Sequence, residues 1–302
     1  MVNIDTSENT LTYRVEARDA GRKIQDILQH RLHLSRIFIR ELKAHAGIFR
    51  NNAPVFANQR AEPGDILSIR WQNAQQDIEP RPLPLSIVYE DPDILVLDKQ
   101  WGILSHPVKT SPEATIANAV LFHWRSTGAK ASFHPVTRLD RNTSGLMLIA
   151  KNKWAHQQLS EQSMRHQIHK EYIALVYGHL TSAAGTIDAP IARTPGSIIT
   201  RRVAGDGQKA VTRFRVTAEY KDASLLSLVL ETGRTHQIRV HLAYIGHPVI
   251  GDTLYGEQTG LTPRQALHAA EIAFFHPRTK ERLALNAPLP ADMRQLISLL
   301  TK

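Results

Sequence analysis

Asp140 stands in the stretch HPVTRLDRNTSGLMLIAK, residues 134–151, where a polar segment carrying Arg138, Asp140, Arg141 and Asn142 runs directly into an apolar run. An ionised carboxylate at a strand entry, set among cations, can act as nucleophile or base. The same spacing also suits a structural ion pair between Arg138 and Asp140. Gly145 permits a close backbone turn from loop to strand, and Thr143 and Ser144 can tie the loop to its own amides, so a rigid loop is expected. A second stretch, TGRTHQIRVHLAYIGHPVIGDTLYG at residues 232–256, takes a strand into a helix near Thr235. Arg234 falls at that junction, where a guanidinium can clamp a carboxylate or phosphate bidentately beside the free amides of a helix start. Ile238 and Leu242 share one face of the helix, for which core packing is a sufficient reason. Gly246 suits its C-terminal cap and Pro248 prevents its continuation.

Other chemistries lack their residues. The chain has no cysteine, which removes disulfides, thiolate metal sites and cysteine nucleophiles. The 15 histidines raise a metal hypothesis, but His236 and His241 are five apart and His166 and His169 lack the acid of an HExxH pattern, so no metal site is expected. No GxxxxGK[ST], GxGxxG or GxSxG motif occurs. No apolar run approaches the ~20 residues that span a bilayer, and Met1 to Thr12 is polar, so a cytoplasmic protein without membrane contact is the expectation.

The elements that must position these residues fall into two parts. At 302 residues the chain is long for one compact domain. The stretch QNAQQDIEPRPLP, Gln72 to Pro84, has the composition of an extended, solvated connector. The expected division is therefore a small basic domain at residues 1–72, a linker at 73–84 and a larger domain at 85–302. In the first, Ile24, Ile27, Leu28 and Leu32 share a helical face, and Ser35 suits the N-cap of a second helix whose Phe38 and Leu42 face inward while Arg36, Arg40 and Lys43 form a basic stripe. Short strands at Ile48-Phe49, Val55-Phe56 and Ile66 to Trp71 follow, with turns at Asn51-Asn52 and Pro63-Gly64-Asp65. Residues 12–71 hold eleven Lys or Arg against six Asp or Glu, so +5 of the chain's +9 lies beside that stripe and favours a polyanionic partner. In the larger part, a hairpin over 87–97 precedes strands at Leu146 to Ala150, Tyr172 to Val176, Arg213 to Ala218 and Leu225 to Leu230. Helices are expected near Thr115 to Arg125, Lys153 to Met164, Thr235 to Ile245 and Ala291 to Leu300. Strands outnumber helices without regular alternation, which favours an α+β fold with a mixed sheet.

Three ordered motifs together resemble the pseudouridine synthase family, in the branch typified by the large-subunit ribosomal RNA enzymes. They are Arg138-Leu139-Asp140-Arg141 with Thr143-Ser144-Gly145, Lys170-Glu171-Tyr172 leading into Val176-Tyr177-Gly178, and Gly233 to Leu242 followed by Gly251-Asp252 and Tyr255-Gly256. The resemblance covers roughly residues 85–290 and implies a mainly antiparallel catalytic sheet. It assigns Asp140 as the catalytic aspartate, Tyr172 as the active-site tyrosine, Arg234 as the cation paired with the aspartate, and Ile238, with Leu242 beside it, as apolar wall. Thr137 stands where many members have histidine and Asn142 where many have an acid, departures that bear on substrate rather than on reaction class. The first domain resembles the helix-pair RNA-binding module of a small-subunit ribosomal protein, through Gly21-Arg22-Lys23-Ile24, Ser35-Arg36 and Pro63-Gly64-Asp65, although Gln25 stands where the module usually carries an acid.

The resemblance implies an RNA pseudouridine synthase that works on ribosomal or transfer RNA and needs no cofactor; nothing in the sequence demands an assembly, so a monomer is the expectation. The reaction breaks the bond from ribose to ring nitrogen, turns the uracil and rejoins it through carbon-5. Asp140 would attack ribose or uracil or remove a sugar proton, and the sequence leaves these routes open. An adjacent arginine favours the charged carboxylate, Tyr172 can stack on the base, and Arg36, Arg40, Lys43 and Arg138 would offset the cost of extruding it through contacts to the RNA backbone. Two rivals predict different features: a non-catalytic RNA-binding or assembly factor would not need Asp140, and a nucleoside glycosidase would need a second acid facing it, for which Asp252 is the candidate.

Overall fold

The apolar run after Asp140 becomes the middle of the molecule. The computed structural model describes residues 9–73, 76–108, 113–257 and 260–301; the expectations for residues 1–8 and for connector residues 74 and 75 lie outside the described residues. The strand Ser144–Ala150 is buried at every position, as a strand covered on both faces must be. Because successive side chains point to opposite faces, Leu146, Leu148 and Ala150 enter one core and Met147 and Ile149 the other.

That strand belongs to a ten-stranded sheet. Neighbour by neighbour it runs Ala184–Asp188, Val211–Tyr220, Ala223–Leu230, His169–Tyr177, Leu267–Phe275, Ser144–Ala150, Ile94–Lys99 and Ile87–Glu90, with Arg282–Asn286 paired to Leu267–Phe275 and His134–Pro135 to Ser144–Ala150. Among the described residues only the pairing of Leu267–Phe275 with Ser144–Ala150 is parallel. The fold is thus α+β with a mixed, mainly antiparallel sheet. The hairpin over 87–99 turns where Asp91 Oδ1 accepts the backbone N–H groups of Asp93 and Ile94, both at 2.8 Å, an Asx-type turn.

Residues 10–70 form a four-stranded sheet, in the order Thr10–Arg14, Ile66–Arg70, Ile48–Arg50, Ala53–Pro54, with helices Ile24–His30 and Arg36–Ala44. Ser35 caps the second helix by accepting the N–H of Phe38 at 3.1 Å. Arg36, Arg40 and Lys43 are exposed. Val55 and Phe56, expected in a strand, lie just beyond the short strand Ala53–Pro54, because the turn at Asn51 and Asn52, both at positive φ, brings the chain back early.

This N-terminal unit shares a continuous core with the large sheet. Its Leu11, Phe38 and Trp71 pack in one cluster with Ile94, Val96, Leu146, Leu148, Trp154 and Phe274. The rings of Trp71 and Trp154 are 6.5 Å apart. Arg278, buried and paired with Asp93, also donates to Thr10 O at 3.0 Å. The segment expected to be a solvated connector is instead pinned: Asn73 Nδ2 donates to Lys130 O at 2.8 Å, Gln76 Nε2 to Phe133 O at 2.9 Å, and Asn118 Nδ2 to Glu79 O at 2.7 Å. Asn73 and Gln76 thus find their partners on the larger unit, which composition alone does not reveal.

Candidate active site

Asp140 sits in a loop that four residues from two separate segments hold from below. Ser105 Oγ donates to Leu139 O at 2.9 Å. Lys99 Nζ donates to Arg141 O at 3.1 Å and to Gln100 O at 2.8 Å, and Gly102 N donates to Arg141 O at 2.8 Å. Arg264, fully buried, donates through Nη1 to Asn142 O at 3.1 Å and through Nη2 to Ser144 Oγ at 3.1 Å, while its Nε pairs with Asp292 of the C-terminal helix at 2.6 Å. Gly145 then lets the strand begin: at φ +107° its missing Cβ would lie 2.2 Å from Ala269 O, so only glycine fits. Lys99, buried beneath the loop, has its pKa pushed down to about 7 by desolvation and by the nearby Arg264 charge, with Asp140 pulling the other way.

The cation on Asp140 is Arg239. Its Nη1 lies 3.1 Å from Asp140 Oδ2. The other side of the guanidinium is bidentate on Asp252, Nε to Oδ2 at 2.7 Å and Nη2 to Oδ1 at 2.8 Å. Asp252 is fully buried and its Oδ1 also accepts the N–H of Leu254 at 3.0 Å. A fork held on one side leaves its remaining N–H pair in fixed position. Burial opposes the charge on Arg239, but the two carboxylates outweigh it and raise its pKa.

Arg234, expected in this role, is exposed, and its Nε donates to Lys209 O at 3.0 Å. The helix begins at Gln237 rather than Thr235, because Gln237 Oε1 accepts the Arg234 N–H at 2.9 Å and closes a turn ahead of it. That turn separates Arg234 from the helix face that meets Asp140. Arg239 was legible in principle: it lies between Ile238 and Val240 on a helix with Leu242, and a cation in so apolar a setting must be buried and paired.

His236 and Tyr255 complete the cluster. His236 holds a left-handed backbone, φ +58°, and its Nε2 lies 3.8 Å from Asp140 Oδ2. Its Nδ1 is 2.8 Å from Tyr255 Oη, which also accepts the Arg201 N–H at 2.9 Å. When the phenol donates to Nδ1, the proton of the neutral ring lies on Nε2, facing the carboxylate. Desolvation lowers the pKa of His236, only partly opposed by Asp140, and so favours that neutral ring.

Tyr172 is 7% exposed and its hydroxyl is held protonated, because burial and then the Asp140 charge raise its pKa. Ile238, at 4% exposed, packs in the same cluster as Tyr172 and Leu139. Leu242 is fully buried in that cluster, one turn along the same helix face as Ile238. Arg138 is exposed beside the loop. Asp252, the acid considered for a glycosidase pair, gives both oxygens to Arg239 and so does not face Asp140 across a cleft. Among the described residues no group of three or more His, Asp or Glu could hold a metal ion, and no helix is long and apolar enough to cross a membrane.

Residues 93–244 match the family model for RNA pseudouridylate synthase. An uncharacterized RNA pseudouridine synthase of Bacillus subtilis, YjbO, is 44% identical over 269 residues, covering 88% of this chain and 95% of that protein. The ribosomal large subunit pseudouridine synthase D of Xanthomonas campestris is 39% identical over 240 residues, covering 75% of this chain and 72% of that protein. Among solved structures, human RNA pseudouridylate synthase domain containing 1 superposes with a TM-score of 0.57 at 28% identity, covering 74% of this chain and 97% of that one.

Proposed function

We propose a reaction route and a substrate class from one premise: the chain belongs to the RNA pseudouridine synthase family, and it is an enzyme that isomerises uridine in RNA to pseudouridine. Asp140 is the catalytic carboxylate. The observation that carries this assignment is the placement of Arg239 Nη1 and His236 Nε2, at 3.1 and 3.8 Å, on the same oxygen, Oδ2. Oδ1 has no protein partner among the described residues and is the oxygen available to the substrate.

The route needs four changes at the nucleotide. The bond from C1′ to N1 breaks, the uracil turns, a bond forms from C1′ to C5, and the C5 proton leaves. Asp140 Oδ1 acts in the first of these, with Arg239 fixing the carboxylate through its other oxygen. Tyr172 lies against the base with its protonated hydroxyl as a donor; its raised pKa makes it a poor base. Ile238 adds apolar wall. The proton lost from C5 is balanced by the proton that N1 gains, so the isomerisation changes no oxidation state overall.

The substrate is large-subunit ribosomal RNA. The relatives named for that substrate support this choice, as do the charge of +9 and the exposed Arg36, Arg40, Lys43 and Arg138. The N-terminal unit acts as an RNA-binding domain fixed to the catalytic one, and the enzyme works in the cytoplasm beside ribosome assembly. Mapping pseudouridines in ribosomal RNA from a strain lacking the gene tests this reading. At least one site should be missing, restored by the wild-type gene and not by Asp140→Asn. Full restoration by Asp140→Asn would place the protein's role in binding alone.

A further inference from the structure

We propose that Arg193, Arg201 and Arg234 form a subsite for a backbone phosphate of the RNA, next to the target uridine. The inference rests on the reading of the enzyme as acting on RNA, and it gives Arg234 a place that the pairing with Asp140 does not.

The three arginines reach one groove from separate elements. Arg193 lies on the strand Ile191–Arg193 and Arg201 on Arg201–Val203, and the register sets them directly opposite one another. Arg234 comes from the turn ahead of the helix Gln237–Tyr244. They line a cleft of about 390 Å³, within the ~300–1,000 Å³ typical of ligand sites. Like charges facing each other across a strand pair are destabilising unless something offsets them. Among the described residues no carboxylate forms an ion pair with any of the three, and the one acid lining the cleft, Asp206, is turned to Arg202 at 4.0 Å. The cleft is therefore a concentration of positive charge whose counter-ion is not on the protein.

Its construction is specific. Arg201 uses Nη1 on Ile199 O and Thr200 O, at 2.9 and 3.0 Å, and Arg234 uses Nε on Lys209 O. Those bonds fix the two side chains and leave Nη2 of Arg201 and both terminal nitrogens of Arg234 without a partner among the described residues. Gly207 allows the closure of the wall, since a Cβ there would lie 2.5 Å from the Ile191 backbone. A planar, forked cation with free N–H groups suits phosphate oxygens.

The position points to RNA rather than to a free anion. The backbone N–H of Arg201 bonds Tyr255 Oη, Tyr255 Oη bonds His236 Nδ1, and His236 Nε2 lies beside Asp140. Two hydrogen bonds and a 3.8 Å contact thus run from the groove wall to Oδ2 of Asp140, the oxygen that Arg239 also holds. A phosphate seated there would belong to the strand carrying the nucleotide under attack, and its position would set how far the ribose enters.

The test measures binding separately from chemistry. In an Asp140→Asn background, Arg193→Gln, Arg201→Gln and Arg234→Gln are titrated with an unmodified large-subunit ribosomal RNA transcript between 50 and 200 mM salt. Arg282→Gln, an exposed charge on the strand Arg282–Asn286, serves as the control for net charge. Losing one phosphate contact should reduce the slope of log K against log salt by about 0.7–0.9. Each groove variant should show that reduction, with lysine at the same position restoring most of it and thermal melts unchanged. In the active background the loss should fall chiefly on KM. Slopes equal to that of Arg282→Gln would overturn the subsite, even if the wild type releases tritium from C5-labelled uridine. Reduced slopes with no tritium release on any RNA would instead keep the subsite and sink the uridine-isomerising reading.

Discussion

Arg239 Nη1 stands 3.1 Å from Asp140 Oδ2 while the other two nitrogens of the same guanidinium are committed to Asp252. The buried acid thus acts as a clamp on the cation, and the cation as a clamp on one oxygen of the partly buried Asp140. Asp140 is poised through two links, the nearer of which its own loop does not supply.

Asp252→Asn should therefore damage both stability and rate. It leaves a buried guanidinium without its charged partner, a change that costs about 3–5 kcal/mol, and it frees Arg239 to swing from Asp140. Arg239→Lys keeps the charge but cannot span both carboxylates, and its kcat should fall about 10²-fold or more. Denaturant melts and single-turnover rates measure the two effects. A normal rate for Arg239→Lys would show that the fork geometry is not needed.

Tyr172 offers a pH-dependent test. With its hydroxyl pKa raised by burial and by the Asp140 charge, the phenol stays protonated across the neutral range and beyond. The rate of the wild type should show no rise that tracks tyrosine ionisation between about pH 8 and pH 10. Tyr172→Phe should lower kcat more than it raises KM, because the ring remains and the donor is lost. A KM-only effect would limit Tyr172 to stacking.

Acid should weaken the fold through His134. Burial and the stacked His156 push its pKa down to about 4, against ~6.5 in the unfolded chain. Between those values the unfolded state binds a proton that the native state does not, so stability is complete above about pH 6.5 and falls as the pH drops to about 4. After allowance for partial exposure the loss is ~2 kcal/mol. His134→Gln should flatten that part of the stability profile, read from urea midpoints at pH 4.5 and 7.

Removal of residues 1–71 should not release a soluble catalytic domain. Ile94, Val96, Leu146, Leu148, Trp154 and Phe274 pack against the N-terminal unit, and a contiguous apolar face of that size, once exposed, drives association. The intact protein should instead melt in one cooperative transition. Two separated transitions would mean that the shared core contributes little.

Much of this architecture could be read from spacing. The helices Lys153–Met164 and Ala291–Leu300 have the limits that their patterns suggest, and Ser35 caps the helix it was expected to cap. Four things escaped for physical reasons. The strand Leu267–Phe275 is central, yet its sequence LHAAEIAFF lacks alternation, because Leu267–Phe275 has sheet neighbours and core on both sides and carries His268 in a buried hydrogen bond to Ser144 at 2.9 Å. The connector has a solvated composition, but its amides bond to the catalytic unit across more than fifty residues of chain. The partner of Asp140 was placed at the wrong arginine, since motif order marks the neighbourhood of Gly233 to Leu242 and only the turn closed by Gln237 decides which guanidinium faces the loop. Arg264, which holds Asn142 and Ser144 from a position 120 residues away, carries no local signal at all.

Single-turnover tritium release from an unmodified ribosomal RNA transcript labelled at uridine C5, with enzyme in excess, tests the place of Asp140 most directly. The wild type should release label in proportion to the pseudouridine formed, while Asp140→Asn, folded and bound to the same RNA, should release none above the no-enzyme rate. Release by Asp140→Asn at a rate near that of the wild type would contradict the assignment of the carboxylate held by Arg239.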